Sequence, residues 1–200
     1  MMTRPAVFLD LQGTLGGEGL GDIIDFTFYP CAIPALRLLN ASGLLAIVVT
    51  NQSHIATGKY TYQQYEARTR ELRRELARNE AHLDAIYCCP HGNSDACDCQ
   101  KPKLGLLHAA QREFEIDLKA CYVVGDWGSV DMLMAQSAGC KGVLVRTGVG
   151  EGSLNEYRHT WAGVEPDFIA TDVLHAVEWI IRDNVTTSSS EDARQEPPSV

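Results

Sequence analysis

Short apolar runs recur along the chain, separated by longer stretches in which apolar and polar positions mix. The clearest runs predict buried β-strands at Ala6–Leu9, Leu44–Val49 and Cys121–Val124. Weaker runs predict further strands at Ala85–Cys88, Val143–Val145 and Asp167–Ala170. Apolar runs of this length without alternation are typical of strands that are covered on both faces.

Amphipathic stretches with recognisable ends lie between these strands. Pro34 suits a first helical turn and Gly43 a C-terminal cap. Thr61 and Gln64 form a capping-box pattern, followed by residues spaced by three and four: Tyr62, Tyr65, Thr69, Leu72 and Leu76. Ser129 is expected to cap the helix that ends at Gly139. The alternation predicts an α/β fold with a mainly parallel sheet and helices on both faces.

The charge balance and the ends of the chain narrow the class of protein. The 200 residues carry a formal charge of −9, which argues against a nucleic-acid partner. No apolar run reaches membrane-spanning length and the first residues do not form a signal peptide, so we expect no membrane and a cytoplasmic location. Residues 1–182 are expected to form one domain, a monomer, and the polar residues 183–200 a disordered C-terminal tail.

Polar clusters follow the three strongest predicted strands. Asp10–Thr14 comes after the first strand, Thr50-Asn51 after the second, and Gly125–Asp131 after the third. Lys101 lies in a loop before the helix that leads to the third strand. Each cluster alone also fits a helix cap or a turn, but ligands of parallel sheets bind at the carboxyl ends of the strands. Their occurrence at equivalent ends therefore predicts one active site.

The residue types in these clusters suit phosphoryl transfer. Asp10 can attack phosphorus and form an aspartyl-phosphate. Asp126 and Asp131 offer the hard oxygen ligands that Mg²⁺ prefers. The charge on the phosphoryl group also needs donors and a cation. Three further residues are expected to supply these: Thr50, Asn51 and Lys101.

Taken in order, the four clusters resemble the motifs of the haloacid dehalogenase (HAD) superfamily, subclass IIIA. The segments Val48–Ser53, Cys97–Lys103 and Val143–Gly148 are similar to the heptose 1,7-bisphosphate phosphatases and the histidinol-phosphate phosphatases. The resemblance implies a HAD-like Rossmannoid three-layer α/β/α sandwich, and the short connections leave no room for a large cap domain. It also implies a Mg²⁺-dependent phosphatase of a small phosphorylated metabolite, a sugar phosphate of the heptose bisphosphate type.

Four of the seven cysteines lie between positions 88 and 99. Three thiolates and one imidazole make the ligand set of a closed tetrahedral zinc site: Cys89, His91, Cys97 and Cys99. The phosphatases that this chain resembles carry such a loop, where the zinc is structural. We therefore expect Zn²⁺ in loop 89–99, with unliganded thiols as the alternative, and a role in fixing the segment that delivers Lys101. The other cysteines are expected to pack as small apolar residues.

Gln12 departs from the family pattern. The family has a second aspartate here, which protonates the leaving alcohol and later activates water. A carboxamide cannot exchange a proton near neutral pH, and loss of general acid–base catalysis costs about 10²–10⁴-fold. The family residue also binds Mg²⁺ through its backbone carbonyl, and that contact is open to Gln12.

Three interpretations follow from Gln12. The chain is a slow phosphatase whose substrate has a good leaving group or supplies its own acid, or which recruits a loop residue: His54, Glu18 or Asp22. Each of these three also fits ordinary loop chemistry. Alternatively, the chain is a catalytically impaired phosphate- and metal-binding protein with a sensing or assembly role, or Gln12 is a substitution that traps a complex. We favour the phosphatase because the nucleophile, the lysine and the metal carboxylates are all present.

Two positions bear on the substrate. Gln100 and Trp127 stand where the heptose phosphatases usually carry an arginine and a lysine that help to bind a doubly phosphorylated sugar. Trp127 either stacks on a sugar or ring or covers the end of the sheet. The glycine-rich segment Gly16–Asp22 differs from the family's substrate loop and fits a flexible surface loop. A small phosphomonoester is the broader prediction.

Overall fold

The computed structural model describes residues 4–195 and contains one six-stranded parallel sheet. Its strands are β1 (Ala6–Leu9), β2 (Leu45–Asn51), β3 (Ala85–Cys89), β4 (Tyr122–Gly125), β5 (Lys141–Val145) and β6 (Phe168–Ala170). The strand order is β3-β2-β1-β4-β5-β6. All six predicted strands are confirmed, and β1 lies between β2 and β4, so the carboxyl ends of these three strands are neighbours.

Helices cover both faces of the sheet. They are α1 (Ala32–Ser42), α2 (Tyr62–Arg78), α3 (Gly105–Phe114), α4 (Leu133–Ala138), α5 (Gly150–Leu154) and α6 (Val173–Gln195). Val7 and Leu9 face the core under α1, α2 and α6, whereas Phe8 faces the core under α3 and α4. This alternation along β1 gives the predicted three-layer arrangement, since successive side chains of a strand point to opposite faces.

Two of the predicted helix ends are confirmed. Gly43 caps α1 in the left-handed conformation, with φ of 81°. The Thr61 side chain accepts a hydrogen bond from the Gln64 N–H, and the Thr61 N–H donates to Gln64 Oε1, as a capping box requires. Within α2, Tyr65 is buried but Tyr62 is exposed, so the apolar stripe is narrower than its spacing suggests.

The predicted cap at Ser129 is wrong. A π-helical turn over Gly128–Met132 precedes α4, with Trp127 as the flanking residue and no side-chain cap. Ser129 therefore lies inside the turn. The Trp127 N–H donates to Asp131 Oδ2 at 3.1 Å across this turn.

The part of the chain predicted as a tail begins within α6, which continues to Gln195. Asp183 accepts hydrogen bonds from the Tyr122 hydroxyl at 2.7 Å and the Lys141 ammonium at 2.5 Å, which holds the helix against the sheet. The Thr186 and Thr187 hydroxyls donate to backbone carbonyls one turn earlier, both at 2.9 Å. A polar composition does not indicate that side chains such as these form hydrogen bonds within the fold. The remaining part of the tail, residues 196–200, lies outside the described residues.

Between residues 4 and 195, no helix combines the length and the apolar composition that a bilayer crossing needs.

Candidate active site

A pocket of about 370 Å³ opens at the carboxyl ends of β1, β2 and β4. The predicted site residues that line it are Asp10, Gln12, Asn51, Lys101, Asp126, Trp127 and Asp131. Thr50 lies directly behind them, fully buried, with its hydroxyl bonded to the Gln12 side chain. Four separate segments thus bring their polar residues to one place. This is the carboxyl edge of the sheet, where parallel sheets bind their ligands.

Lys101 forms the centre of the charged part of the pocket. Its Nζ lies 2.6 Å from Asp10 Oδ1 and 2.7 Å from Asp131 Oδ1, and the lysine side chain is only 2% exposed. Burial would lower the pKa of Lys101, but the two carboxylates outweigh it and raise that pKa above its usual value. The lysine therefore stays cationic beside Asp10.

Backbone groups orient the other two carboxylates. Asp126 Oδ2 accepts from the Val149 N–H at 2.8 Å, and the Ser153 hydroxyl donates to the Asp126 carbonyl at 2.8 Å. The same hydroxyl accepts from the Gly128 N–H at 3.2 Å. The loop after β5 thus fixes the position of Asp126, and the π-helical turn aims Asp131 into the pocket.

Two glycines leave the space that Asp126 occupies. Gly13 has φ of +84° and Gly148 has φ of +58°, both in the left-handed region. A Cβ built at either position would lie 2.0 Å or 2.1 Å from Asp126 Oδ2. The Thr147 hydroxyl donates to the Gly13 carbonyl at 2.6 Å and holds the two loops together.

The three carboxylates fit a divalent cation. Oxygens of Asp10, Asp126 and Asp131 lie within 4.8 Å of one another, and octahedral Mg–O bonds of about 2.1 Å place ligand oxygens about 3–4 Å apart. Without a cation, burial and the neighbouring carboxylates raise the pKa of Asp126 to about 8. Burial raises the pKa of Asp10 to about 6, although Lys101 opposes the shift. The single charge of Lys101 does not balance the charges of three buried carboxylates, whereas Lys101 together with a divalent cation would.

Gln12 is embedded in a buried network of side chains. Its Oε1 accepts from the Thr50 hydroxyl at 3.2 Å and from Gln52 Nε2 at 3.0 Å. Its Nε2 lies 3.5 Å from the Gly21 carbonyl. The Tyr60 hydroxyl donates to Gln52 Oε1 at 2.5 Å. The carboxamide is thus held in place, but none of these partners gives it a proton to transfer.

The Asn51 side chain holds the segment of Lys101. Its Oδ1 accepts from the Lys101 N–H at 3.0 Å, and its Nδ2 donates to the Lys101 carbonyl at 3.1 Å. The sequence predicts Asn51 as a donor to phosphate, whereas both polar ends of its amide are engaged with the backbone here. Its place in the structure is that of a positioning residue for the lysine.

The three loop residues considered as replacements for the missing aspartate differ in position. His54 lines the pocket, and its Nδ1 lies 2.5 Å from Asp22 Oδ1. Asp22 is also paired with Lys59, at 2.6 Å. Glu18 is exposed and does not line the pocket. The mouth is completed by Trp127 and Gln100 together with the Gly19–Gly21 stretch.

The cysteine cluster lies next to this pocket, at the end of β3. Its ligand atoms, from Cys89, His91, Cys97 and Cys99, lie within 4.8 Å of one another, with contacts of 3.1 to 3.7 Å. A tetrahedral zinc with bonds of about 2.0–2.3 Å separates its ligand atoms by about 3.3–3.8 Å. Burial and bonds to two neighbouring thiols raise the pKa of Cys89, so a thiolate at this position needs a cation. Cys88 instead packs against the core.

Sequence reasoning missed four contributors to the site: Gln52, Tyr60, Val149 and Ser153. Gln52 and Tyr60 belong to stretches that resemble the family, but the residues alone assign them no chemistry. Val149 acts through its backbone N–H, which any residue offers. Ser153 lies in a glycine-rich segment that reads as a loop, and its contact with Asp126 depends on tertiary structure alone.

Comparison with known proteins gives matches over most of the chain. The HAD-hydrolase-like family profile matches residues 98–176. D-glycero-β-D-manno-heptose-1,7-bisphosphate 7-phosphatase of Escherichia coli K12 is 40% identical over 154 residues, which cover 72% of this chain and 80% of that protein. D-glycero-D-manno-heptose-1,7-bisphosphate 7-phosphatase of Thermosynechococcus vestitus is 37% identical over 193 residues, covering 90% and 96%.

A similar fold occurs among solved structures. The crystal structure of D,D-heptose 1,7-bisphosphate phosphatase from B. bronchiseptica, complexed with magnesium and phosphate, superposes with a TM-score of 0.81 at 27% identity. The match covers 90% of this chain and 99% of that one.

Proposed function

We propose that this chain, which belongs to the HAD-like hydrolases and is a phosphatase, hydrolyses a sugar phosphate of the heptose bisphosphate type through an aspartyl-phosphate on Asp10. The observation that carries the proposal is the buried Lys101, in contact with Asp10 and Asp131 beside Asp126. The similar proteins named for heptose bisphosphate support the substrate class.

The chain's own residues would divide the chemistry as follows. An Asp10 oxygen attacks phosphorus while the bond to the ester oxygen breaks, and water later attacks the same phosphorus and frees Asp10. Lys101 holds positive charge beside the transferred group. The Trp127 surface at the pocket mouth would contact substrate, whereas the Thr50 hydroxyl, buried behind the pocket, would hold the Gln12 side chain.

Two cations complete the proposal. Mg²⁺ would be held by Asp10, Asp126, Asp131 and the Gln12 backbone carbonyl, and when bound it would supply charge to the phosphoryl oxygens. Magnesium and phosphate in the B. bronchiseptica structure support this choice. Zn²⁺ would be held in loop 89–99, where four protein ligands leave no open position, so its role is structural. A cytoplasmic monomer acting on a small phosphorylated metabolite remains our prediction.

A second candidate function rests on Gln12. Because its carboxamide is saturated by Thr50 and Gln52 and holds no exchangeable proton, the pocket would also suit a catalytically impaired protein that binds phosphate and metal. Such a protein would act in sensing or assembly.

Phosphate release separates the two functions. The assay uses heptose 1,7-bisphosphate, hexose 6-phosphates and histidinol phosphate, with and without Mg²⁺. We expect Mg²⁺-dependent release that falls on the order of 10³-fold or more in Asp10→Asn, which keeps the size of the side chain. Asp25→Asn, an exposed aspartate outside the pocket, is the matched control.

The outcomes differ sharply. Activity that survives Asp10→Asn would remove the nucleophile assignment. No turnover of any panel member, together with Mg²⁺-dependent binding of inorganic phosphate, would establish the second function.

A further inference from the structure

The leaving alcohol needs a proton that Gln12 cannot give. An alkoxide is a poor leaving group, so phosphoryl transfer from a sugar ester requires an acid near the ester oxygen. The Tyr60 hydroxyl is turned to Gln52, and burial raises its pKa, so it is held as a neutral donor to an amide. Glu18 is exposed and outside the pocket. Another group in the pocket must therefore carry the proton.

His54 is placed to do so. It lines the same pocket as Asp10 and Gln12. Its ring packs edge-on against Tyr60, with 6.1 Å between centroids and 88° between planes, which restricts its rotation. Nδ1 faces Asp22 at 2.5 Å. Nε2, by contrast, has no hydrogen-bond or ion-pair partner within residues 4–195, so it is the nitrogen left for a ligand.

Asp22 is itself held in a defined position. Its carboxylate is paired with Lys59 at 2.6 Å and is 16% exposed. A hydrogen bond from Lys59 lowers the pKa of Asp22, so the group that faces Nδ1 stays a carboxylate. The adjacent Gly21 carbonyl lies 3.5 Å from Gln12 Nε2. The Asp22–His54 pair thus reaches the pocket beside the carboxamide that stands in the place of the family's acid.

We infer that His54, positioned by Asp22, is the general acid and base of this phosphatase. A carboxylate on Nδ1 selects Nε2 as the nitrogen that exchanges protons. The inference rests on the proposed function, because it needs Asp10 to be the nucleophile.

The proton and the bonds balance over two steps. In the first, Asp10 bonds to phosphorus, the bond from phosphorus to the ester oxygen breaks, and protonated His54 gives its Nε2 proton to that oxygen. In the second, a water oxygen bonds to phosphorus, the bond from phosphorus to Asp10 breaks, and neutral Nε2 takes the proton from water. The products are alcohol and inorganic phosphate, and both side chains return to their starting forms.

Leaving-group dependence tests this role. The kcat/KM of the best sugar phosphate from the panel is compared with that of p-nitrophenyl phosphate, whose phenolate leaves without a proton. In His54→Gln we expect a loss of about 10²-fold for the sugar ester and less than about 3-fold for the nitrophenyl ester. The kcat should fall for both, because they share one aspartyl-phosphate whose hydrolysis needs the base.

Two further variants sharpen the result. Asp22→Asn should give the same selective pattern at about 10-fold, since it removes only the orienting carboxylate. His82→Gln is the matched control: that exposed histidine also lies near an aspartate, Asp84 at 3.9 Å, but outside the pocket, and no change is expected.

Equal losses of kcat/KM for the two esters in His54→Gln, or no loss of kcat/KM for the sugar ester, would overturn the role of His54 alone. Failure of Asp10→Asn to reduce turnover, or the absence of turnover in the unmodified chain, would overturn the proposed function and with it this role.

Discussion

Two clusters of side chains that could hold a metal ion differ in donor atoms, burial and origin. Asp10, Asp126 and Asp131 are all buried and come from the ends of β1 and β4 and the turn after β4. In the thiol–imidazole cluster, only Cys89 is buried and the other three ligands lie on the loop after β3. The first offers three carboxylates, and the second offers three thiols and one imidazole.

This difference suits the carboxylate cluster to the reaction and the thiol–imidazole cluster to a structural role. Three carboxylates leave octahedral positions for substrate oxygens and water, whereas three thiolates and one imidazole complete a tetrahedron. The clusters are joined through the chain, since Lys101 follows Cys99 by two residues. The sulfur cluster is thus suited to set where the lysine enters the oxygen cluster.

Breaking the sulfur cluster should give the largest effect. In Cys97→Ser we expect zinc loss and a decrease in the free energy of unfolding of about 4 kcal/mol or more. The kcat/KM should fall about tenfold, because Lys101 loses its support but keeps Asn51. Metal analysis, thermal unfolding and the phosphate assay measure the three quantities.

Cys31→Ser is the control for this variant, because that thiol is likewise partly exposed but lies outside the cluster. Full zinc content in Cys97→Ser, or stability equal to that of Cys31→Ser, would contradict a structural zinc site.

The three carboxylates should make the stability of the protein, and its response to Mg²⁺, depend on pH. In the cation-free protein, the pKa values of Asp10 and Asp126 lie near 6 and 8, above the ordinary 3.8. Protonation of both groups therefore favours the folded state at low pH, and this stability is lost as the pH rises through these values. Mg²⁺ favours the carboxylates, so its stabilising effect should grow over the same range.

Thermal unfolding with and without Mg²⁺ tests this expectation. The rise in Tm caused by Mg²⁺ should be several degrees larger at about pH 8.5 than at about pH 5. Asp126→Asn should remove most of that difference. An equal rise at both pH values would argue that Mg²⁺ binds elsewhere.

The smallest effect is expected for a substitution of Gln12, the uncharged residue beside the three carboxylates. Gln12→Asp should raise kcat/KM for sugar phosphates about tenfold, less than the 10²–10⁴ of a newly supplied acid, because His54 already provides a proton. The shorter side chain also gives up contacts with Thr50 and Gln52. A gain of 10³-fold, measured in the phosphate assay, would mean that no other acid serves the unmodified chain.

The fold could be predicted because local pattern and tertiary structure agree along the sheet. Strands buried on both faces leave unbroken apolar runs, and residues such as Asp10 and Asp126 interrupt those runs at the carboxyl end. The thiol cluster was equally visible, since its ligands are close in sequence. Such features depend on neighbours along the chain, which the sequence displays.

The rest depends on partners that are distant in sequence. Asn51 bonds to Lys101, Ser153 bonds to Asp126 and Asp22 lies against His54, and nothing near any of these residues indicates its partner. The π-helical turn at Gly128–Met132, across which the Trp127 N–H donates to the Asp131 carboxylate, likewise stands where a serine cap was predicted. Asn51 illustrates the result: its place in the site was predicted, but its contacts were not.

The glycine pair around Asp126 constrains how this sequence can vary. Gly148 lies on a loop that contributes no reacting group, yet any side chain there would overlap the Asp126 carboxylate, as it would at Gly13. A substitution at one glycine cannot be compensated by a change at the other, because a Cβ at either position alone would overlap Asp126. Tolerance to mutation in this protein should therefore follow closeness to one carboxylate more than participation in the reaction, with the loop after β5 as restricted as the loop that carries the nucleophile.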